Sequence, residues 1–240
     1  MRTRNLSIIV MCIAVISFSC RKGTWGIKGE GSDITEIRNI SGFNGIQLNC
    51  DAHIVYVADT VYRLEVTCQK NILPILETKL VGSDLCVDFK RNVWDHSKIN
   101  IVIHSPSLNK MNVSSSGKIT SESLLNVSAL ELAISGSGNI SVSSVSVQSL
   151  TLRLNGSGSI DVAEGTARSE NFSISGSGSI RTEFVKATTS QVNISGSGNM
   201  YISVSDKLNL DISGSGSVYY HGKPSINFNV SGSGKVIGLD

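Results

Sequence analysis

The chain has 240 residues, 40% of them hydrophobic and 17% charged, and its formal net charge is +2 at pH 7. No block of like charge occurs, which argues against nucleic acid or an anionic membrane surface as a partner. Two of the positive charges, Arg2 and Arg4, belong to an N-terminal segment that we expect to be removed, so the mature protein is close to neutral.

The segment 1–19 has the pattern of a secretory signal peptide. Two arginines precede an apolar run over 6–18, which is shorter than a membrane-spanning helix. The dipeptide Ser19-Cys20 resembles a bacterial lipoprotein cleavage site, so we expect 1–19 to be removed and Cys20 to carry lipid. This predicts an outer-membrane lipoprotein that faces either the periplasm or the cell surface. Ordinary signal cleavage near this position is the alternative.

The next segments change from a polar stretch to a strand pattern. Residues 20–36 are polar and glycine-rich, which is typical of a flexible tether. Over 37–110, alternating apolar residues between turn signals predict a β-rich part that forms either early coils of the following fold or a cap.

The three cysteines of this β-rich part are equally spaced, which suggests similar places in successive coils. The alternatives are three small buried side chains or one disulfide. They are Cys50, Cys68 and Cys86.

A Ser-Gly-Ser-Gly tetrapeptide, or a one-residue variant of it, recurs six times in the region 111–240. The interval between successive copies is 20 three times and then 18 twice. Apolar and polar residues alternate before each copy, which is the period of a half-buried strand. A nearly fixed period of this kind indicates a repeat architecture. The copies begin at Ser135, Asn155, Ser175, Ser195, Ser213 and Ser231.

The repeat predicts an all-β fold, a single-stranded parallel β-helix whose coils of about 18–20 residues stack about 4.8 Å apart. Parallel crossovers favour a right-handed coil. Glycine tolerates the positive φ of a sharp corner, and small residues avoid collisions between equivalent corners of stacked coils. We therefore expect the Ser-Gly stripe to be a corner. A flat polar groove for a glycan is the functional alternative.

The outward positions before each corner carry mostly amides and hydroxyls. In stacked coils these side chains form a ladder. This ladder is either a glycan-binding surface or a hydrated surface that keeps the protein soluble and binds no ligand. After the corner, Asp161 and Arg181 are expected to face each other as a salt bridge between coils. The ladder residues that we predict to face a glycan are Asn171, Asn193, Asn209, Asp211, Asn227 and Asn229.

Candidate catalytic and metal-binding groups do not cluster in the sequence. Asp211 has no acidic neighbour on the adjacent coils, whereas glycoside hydrolysis uses two carboxylates. The four histidines share no position in the repeat, and the cysteines and histidines lack metal-ligand spacing. We predict no catalytic residue, no cofactor and no metal site.

Several blocks occur in a specific order along the chain. They are Phe43-Asn44-Gly45-Ile46-Gln47-Leu48, Leu64-Glu65-Val66, Ile101-Val102-Ile103 and the repeated Ser-Gly-Ser-Gly tetrapeptide, whose first copy continues into Asn139-Ile140. This order resembles the head GIN domain family of auto-transporter adhesins, which occur mostly as lipoproteins in Bacteroidetes, over roughly 37–235. The resemblance implies a β-helical fold and an envelope location, and it supplies no catalytic residues.

Asp59-Thr60-Val61 resembles the O-glycan acceptor motif of Bacteroidetes, which predicts a glycan on Thr60.

The leading hypothesis is a lipid-anchored envelope protein with a structural or adhesive role, binding a polysaccharide or an envelope protein and performing no catalysis. The alternative is a carbohydrate-active enzyme with the geometry of pectinases or polysaccharide lyases. A scaffold without any ligand is the third hypothesis. We also expect that two copies can pair through their end coils.

Overall fold

The computed structural model describes residues 26–239, so the predicted signal peptide and Cys20 lie outside the described residues. Within this range no helix is long and apolar enough to cross a membrane. Ten strands precede residue 114: β1 (Ile27–Lys28), β2 (Asp33–Arg38), β3 (Gly45–Leu48), β4 (His53–Ala58), β5 (Arg63–Gln69), β6 (Leu76–Val81), β7 (Asp84–Phe89), β8 (Val93–Asp95), β9 (Asn100–Ser105) and β10 (Lys110–Val113). Nine follow: β11 (Lys118–Gly136), β12 (Asn139–Gly156), β13 (Ser159–Val162), β14 (Gly165–Gly176), β15 (Ser179–Gly196), β16 (Asn199–Gly214), β17 (Ser217–His221), β18 (Ser225–Gly232) and β19 (Lys235–Gly238).

The described residues form a β-solenoid of about 6 turns, and the strands from β11 onward make its regular coils. Each complete coil has three sides, and in one coil these are 139–142, 145–147 and 149–156. The third side leads into the Ser-Gly corner, and the first side follows it. The longer strands bend around the edges between sides, so one strand can span a whole coil.

The pairing register confirms the predicted parallel coils and their period. Leu132 pairs with Leu152 and Leu152 pairs with Phe172, which is an interval of 20. In the later coils Val192 pairs with Leu210 and Leu210 with Phe228, which is an interval of 18. The shortening occurs at the edges around the second side, where the register between β15 and β16 shifts twice. The right hand of the coil stays a prediction.

The core fills the interior of the solenoid with columns of aligned apolar side chains. Leu130 and Leu150 start one such column on the third side, and both are buried. The next member of this column is Glu170, followed by Ser190, and these two polar side chains are also buried. Neither Glu170 carboxylate oxygen has a hydrogen-bond partner. Burial raises the pKa of Glu170 well above its usual value, and the nearby Ser190 hydroxyl offsets this only in part.

The N-terminal part contains two coils and a cap, arranged out of chain order. Strands β3 and β4 form a coil that pairs in parallel with β10 and β11 on one side. On the other side they pair in parallel with β7 and β9, which come later in the chain. Strands β5 and β6 then pair antiparallel with β9 and β7 and cover this end of the solenoid. The chain therefore returns past its own first coil before the regular repeats begin.

The predicted flexible tether is wrong in the part that the structure describes, where Ile27–Lys28 form β1, which pairs in parallel with β8. Residues 33–36, which the sequence analysis placed in a flexible segment, lie in β2, and β2 pairs antiparallel with β5. The Arg38 guanidinium fixes the end of β2, because it donates to the carbonyl oxygens of Leu76 at 2.7 Å and Leu73 at 3.0 Å. The Thr35 and Thr67 hydroxyls add a cross-strand hydrogen bond of 2.8 Å. These contacts order a segment whose high glycine content had suggested flexibility.

The three described cysteines are free and buried. Their equal spacing does not reflect similar places in successive coils, because Cys50 follows β3, Cys68 lies in the antiparallel strand β5, and Cys86 lies in β7. Burial raises the pKa of Cys50 to about 12 and that of Cys68 to about 11. Both are therefore protonated thiols at neutral pH, as expected of small buried side chains.

Strands β18 and β19 form the last coil in the described chain, and it is less buried than the coils before it. Phe228 continues an interior column, yet 59% of it is exposed. The expected pairing of two copies through such an end coil stays a prediction.

Candidate functional site

The third sides of the coils carry three outward columns of polar side chains, and we call this surface the ladder face. It contains all six residues that the sequence analysis predicted to face a glycan, five of them exposed and Asn209 half-buried. The columns are Asn171, Gln191, Asn209 and Asn227; Ser173, Asn193, Asp211 and Asn229; and Ser175, Ser195, Ser213 and Ser231.

Two of the three columns line a shallow groove of about 480 Å³ on the ladder face. Its polar walls are the column from Ser173 to Asn229 and the serine column beside the corner. Within the first of these, the Asn229 amide donates to the Asp211 carboxylate at 3.5 Å. Side-chain amides and hydroxyls both donate and accept hydrogen bonds, so the groove offers mixed partners at each coil. The coils repeat about every 4.8 Å along this surface.

The Ser-Gly corners hold the ladder face in register. At each corner after the first, a serine N–H donates to the glycine carbonyl of the preceding coil, as from Ser157 to Gly136 at 3.1 Å and from Ser177 to Gly156 at 3.0 Å. Gly156 has a φ of +132°, and Gly176 has a φ of +127°. An L-residue rarely adopts such angles, so the sharp bend requires glycine. The corner is a backbone structure, and its serine side chains remain available at the surface.

The charged groups near the ladder face are paired or isolated. Asp211 lies between Asn193 and Asn229 in its column, without an acidic neighbour there. The Arg153 guanidinium forms an ion pair with Glu131 on the preceding coil. Around the corner, on the first side, Arg181 Nε lies 3.9 Å from an Asp161 carboxylate oxygen, which confirms the predicted contact. The Arg181 guanidinium also lies 4.8 Å from the centre of the Tyr201 ring.

A family model described as "Putative auto-transporter adhesin, head GIN domain" matches residues 42–224. The chain belongs to this head GIN domain family. The match begins at the strand block that starts with Phe43 and extends through five of the six Ser-Gly corners. A comparison with curated proteins found no match.

Several solved bacterial proteins have a similar fold. A putative adhesin from Bacteroides fragilis is 23% identical, with a TM-score of 0.82, over 89% of this chain and 100% of the other. A putative lipid binding protein from Parabacteroides distasonis is 24% identical, with a TM-score of 0.74, over 89% and 99% of the two chains. A putative adhesin from Parabacteroides merdae is 22% identical, with a TM-score of 0.74, over 90% and 100%. At these identities the likeness concerns the fold.

The predicted modification site of this family member lies at the surface. Thr60 is exposed in the bend after β4, where its N–H donates to the Asp59 carboxylate at 2.6 Å. The same carboxylate lies 3.2 Å from His104 Nδ1. Backbone and histidine contacts lower the pKa of Asp59, so it is ionised beside the threonine. The Thr60 hydroxyl is accessible to a modifying enzyme, and its glycan stays a prediction.

The structure also forms a cavity that the sequence analysis missed, which we call the basic cavity. It has a volume of about 400 Å³ and lies at the N-terminal end of the solenoid. Its residues come from three distant segments that meet because β9, β4 and β11 are adjacent. The repeat in the sequence does not indicate that β9, β4 and β11 are adjacent. The basic side chains that line the cavity are His53, His96, Lys98 and Lys118.

Proposed function

We propose that this protein is a lipid-anchored, non-catalytic glycan-binding protein of the cell envelope, with the ladder face as its binding surface. The observation that carries this proposal is the alignment of three polar columns beside a groove on consecutive coils. An extended glycan also repeats its hydroxyls along a line. Regular coils can therefore offer the same hydrogen-bonding partners to successive sugar units. The adhesin description of the family supports the same role.

The charges of the ladder face favour binding over hydrolysis. Two carboxylates must flank a glycosidic bond in most glycoside hydrolases, one of them as an acid. Here Asp211 has an asparagine on each side along its column, and Glu131 and Asp161 are each beside an arginine. The two ion pairs join Glu131 and Asp161 each to a guanidinium and place no second carboxylate beside either, so the acid and base pair that hydrolysis requires is not assembled there within the described residues. These contacts support an adhesive or structural role for the groove.

Removing the polar groups of one ladder column should weaken glycan binding. We expect the combined substitutions Asn193→Ala, Asp211→Ala and Asn229→Ala to lower the affinity for a glycan bound by the wild type by about tenfold or more, since each lost hydrogen bond contributes about 0.5–1.5 kcal/mol. A glycan array identifies the ligand, and isothermal titration calorimetry then measures both affinities.

A matched variant controls for the loss of two amides and one carboxylate. Asn126 lies on the second side, Asn199 on the first side and Asp206 at the edge before the third side, so their combined replacement by alanine should leave the affinity within about twofold. Equal loss of affinity in both triple variants would contradict a role for the ladder face. A wild-type protein that binds no glycan on the array would remove the binding function altogether.

Anchoring and glycosylation can be checked together on protein extracted from the membranes of the native cell. We expect an intact mass equal to residues 20–240 plus a lipid on Cys20 and a glycan on Thr60. The variant Thr60→Ala should lose the glycan mass, while Thr188→Ala, which removes another exposed threonine hydroxyl, should keep it. A mass of peptide plus lipid alone would contradict the Thr60 site. Recovery of the protein in the soluble fraction without added lipid mass would contradict the anchor.

A further inference from the structure

The basic cavity is built where the corners of three neighbouring coils meet. Parallel pairing places Asn100, His53 and Lys118 in one outward column. Lys98 lies two residues before Asn100, in the segment that leads into β9. Asp51 and Ala52 contribute the corner before β4, and Ser116 contributes the corner before β11. The backbone there is fixed, because His53 N donates to Ile99 O at 2.9 Å and Lys118 N donates to Ala52 O at 2.8 Å.

The positive charge in this cavity is only partly neutralised by the protein. Lys98 and Lys118 take part in none of the ion pairs formed by residues 26–239. By contrast, Lys110 is paired with Asp84 at 2.6 Å only a few residues away. Among the described residues, Asp51 is the one carboxylate that lines the cavity, so the two ammonium groups leave an excess of positive charge.

The histidine environments agree with this charge distribution. The pKa of His53 is lowered, first by burial and then by the repulsion of Lys98 and Lys118. Both ammonium groups therefore act on the same ring, whose Nε2 lies 3.2 Å from the Thr120 hydroxyl. On the other wall, His96 Nδ1 donates to the Ser97 carbonyl at 2.7 Å, and its ring packs edge-on against Phe89. The cavity thus has two positioned imidazoles beside two unpaired cations.

We propose that the basic cavity binds the anionic group of an acidic sugar, a carboxylate or a sulfate. A carboxylate or sulfate would accept charge-assisted hydrogen bonds from the two lysines, and the neighbouring hydroxyl and imidazole groups suit sugar hydroxyls. The cavity volume of about 400 Å³ lies within the range of small-molecule sites and exceeds what a bare inorganic anion fills. This assignment rests on the proposed glycan-binding function and adds a second, charge-selective site to it.

The two glycan sites lie at opposite ends of the stack of coils. The groove on the ladder face is formed by β14, β15, β16 and β18, whereas the basic cavity involves β4, β9 and β11. The ladder face carries mainly neutral groups, so it does not distinguish an acidic sugar from a neutral one by charge. The basic cavity would supply that selectivity.

The test compares a glucuronate-containing disaccharide, a sulfated disaccharide and a neutral disaccharide on the full mature chain. We expect at least one acidic disaccharide to bind the wild type and to shift the ring NMR signals of His53 and His96. The double variant Lys98→Gln and Lys118→Gln should weaken this binding by about tenfold or more, because two charge-assisted contacts are lost. The control pair Lys70→Gln and Lys186→Gln removes the same charge from exposed sites and should stay within about twofold.

The arms of this experiment separate the possible outcomes. The two acidic disaccharides identify whether a carboxylate or a sulfate is preferred. Inorganic sulfate is expected to bind more weakly than the better disaccharide, and equal affinity would overturn the assignment to a sugar. Equal binding of the neutral disaccharide, or unchanged binding by the Lys98 and Lys118 variant, would overturn the site. If acidic sugars fail to bind while a neutral glycan still binds the ladder face, this inference is wrong and the proposed function stands.

Discussion

Replacing Gly156 with alanine is expected to destabilise the protein by about 2–4 kcal/mol, which combines backbone strain with the loss of a hydrogen bond. Gly156 has a φ of +132°, and an added Cβ would collide with the carbonyl oxygen of Gly136 on the preceding coil. That oxygen already accepts the hydrogen bond from Ser157 N. Because the obstacle is backbone, a side-chain rotation cannot relieve the collision. The two coils must separate at the corner.

Urea unfolding followed by circular dichroism measures this effect. The control is Ser157→Ala at the same corner, whose side chain is exposed and which keeps the backbone hydrogen bond. We expect this control to change the free energy of unfolding by less than about 0.5 kcal/mol. Equal stability of the two variants would show that the corners are not stacked as closely as the structure describes.

Replacing Glu170 with leucine is expected to stabilise the protein by about 1–3 kcal/mol at neutral pH, since an unsatisfied buried polar group carries a cost of this size. The carboxyl group lies in the interior column that contains Leu150, and neither of its oxygens has a hydrogen-bond partner. Leucine is similar in volume and would extend the apolar column. Glu164→Leu, an exposed position in the same coil, is the control and should change stability by less than about 0.5 kcal/mol.

The advantage of leucine should depend on pH in a defined direction. The pKa of Glu170 in the folded protein is raised well above the usual 4.5. Below pH 4.5 the carboxyl is protonated in both the folded and the unfolded chain, so the advantage is smallest. As the pH rises above this value, the unfolded chain releases its proton and the folded chain does not, so wild-type stability falls relative to the variant. This decline continues until the pH passes the folded-state pKa.

Urea unfolding of wild type and Glu170→Leu across this pH range measures the difference. A destabilised Glu170→Leu protein, or a wild type that gains stability relative to it with rising pH, would contradict the account of Glu170. Either result would mean that the carboxylate has a partner in solution.

The regular half of the fold could be predicted because its strands pair with neighbours at a nearly fixed sequence distance. Apolar alternation before each Ser-Gly corner fixes which side chains face inward, and the interval between corners fixes the register. The ladder columns follow directly from these two facts. The contact between Asp161 and Arg181 could be predicted from the sequence for the same reason.

The N-terminal half could not be predicted in this way because its neighbours in space are not neighbours in sequence. The coil formed by β3 and β4 lies between strands that come later in the chain, and β5 and β6 run antiparallel. No interval in the sequence marks these pairings. The basic cavity depends on them, so His53 and Lys118 could not be brought together from their positions alone. Glu170 is different, because the repeat places it where Leu130 and Leu150 stand in the earlier copies, although the sequence analysis did not identify it.

Binding without catalysis is tested by following the best-binding glycan during prolonged incubation with the purified wild-type protein. Mass spectrometry of the recovered glycan measures whether any bond has been cleaved. We predict that the glycan is bound and returned intact. Shortened or unsaturated products that disappear in the Asp211→Asn or Asp161→Asn variant would contradict it and identify an enzyme.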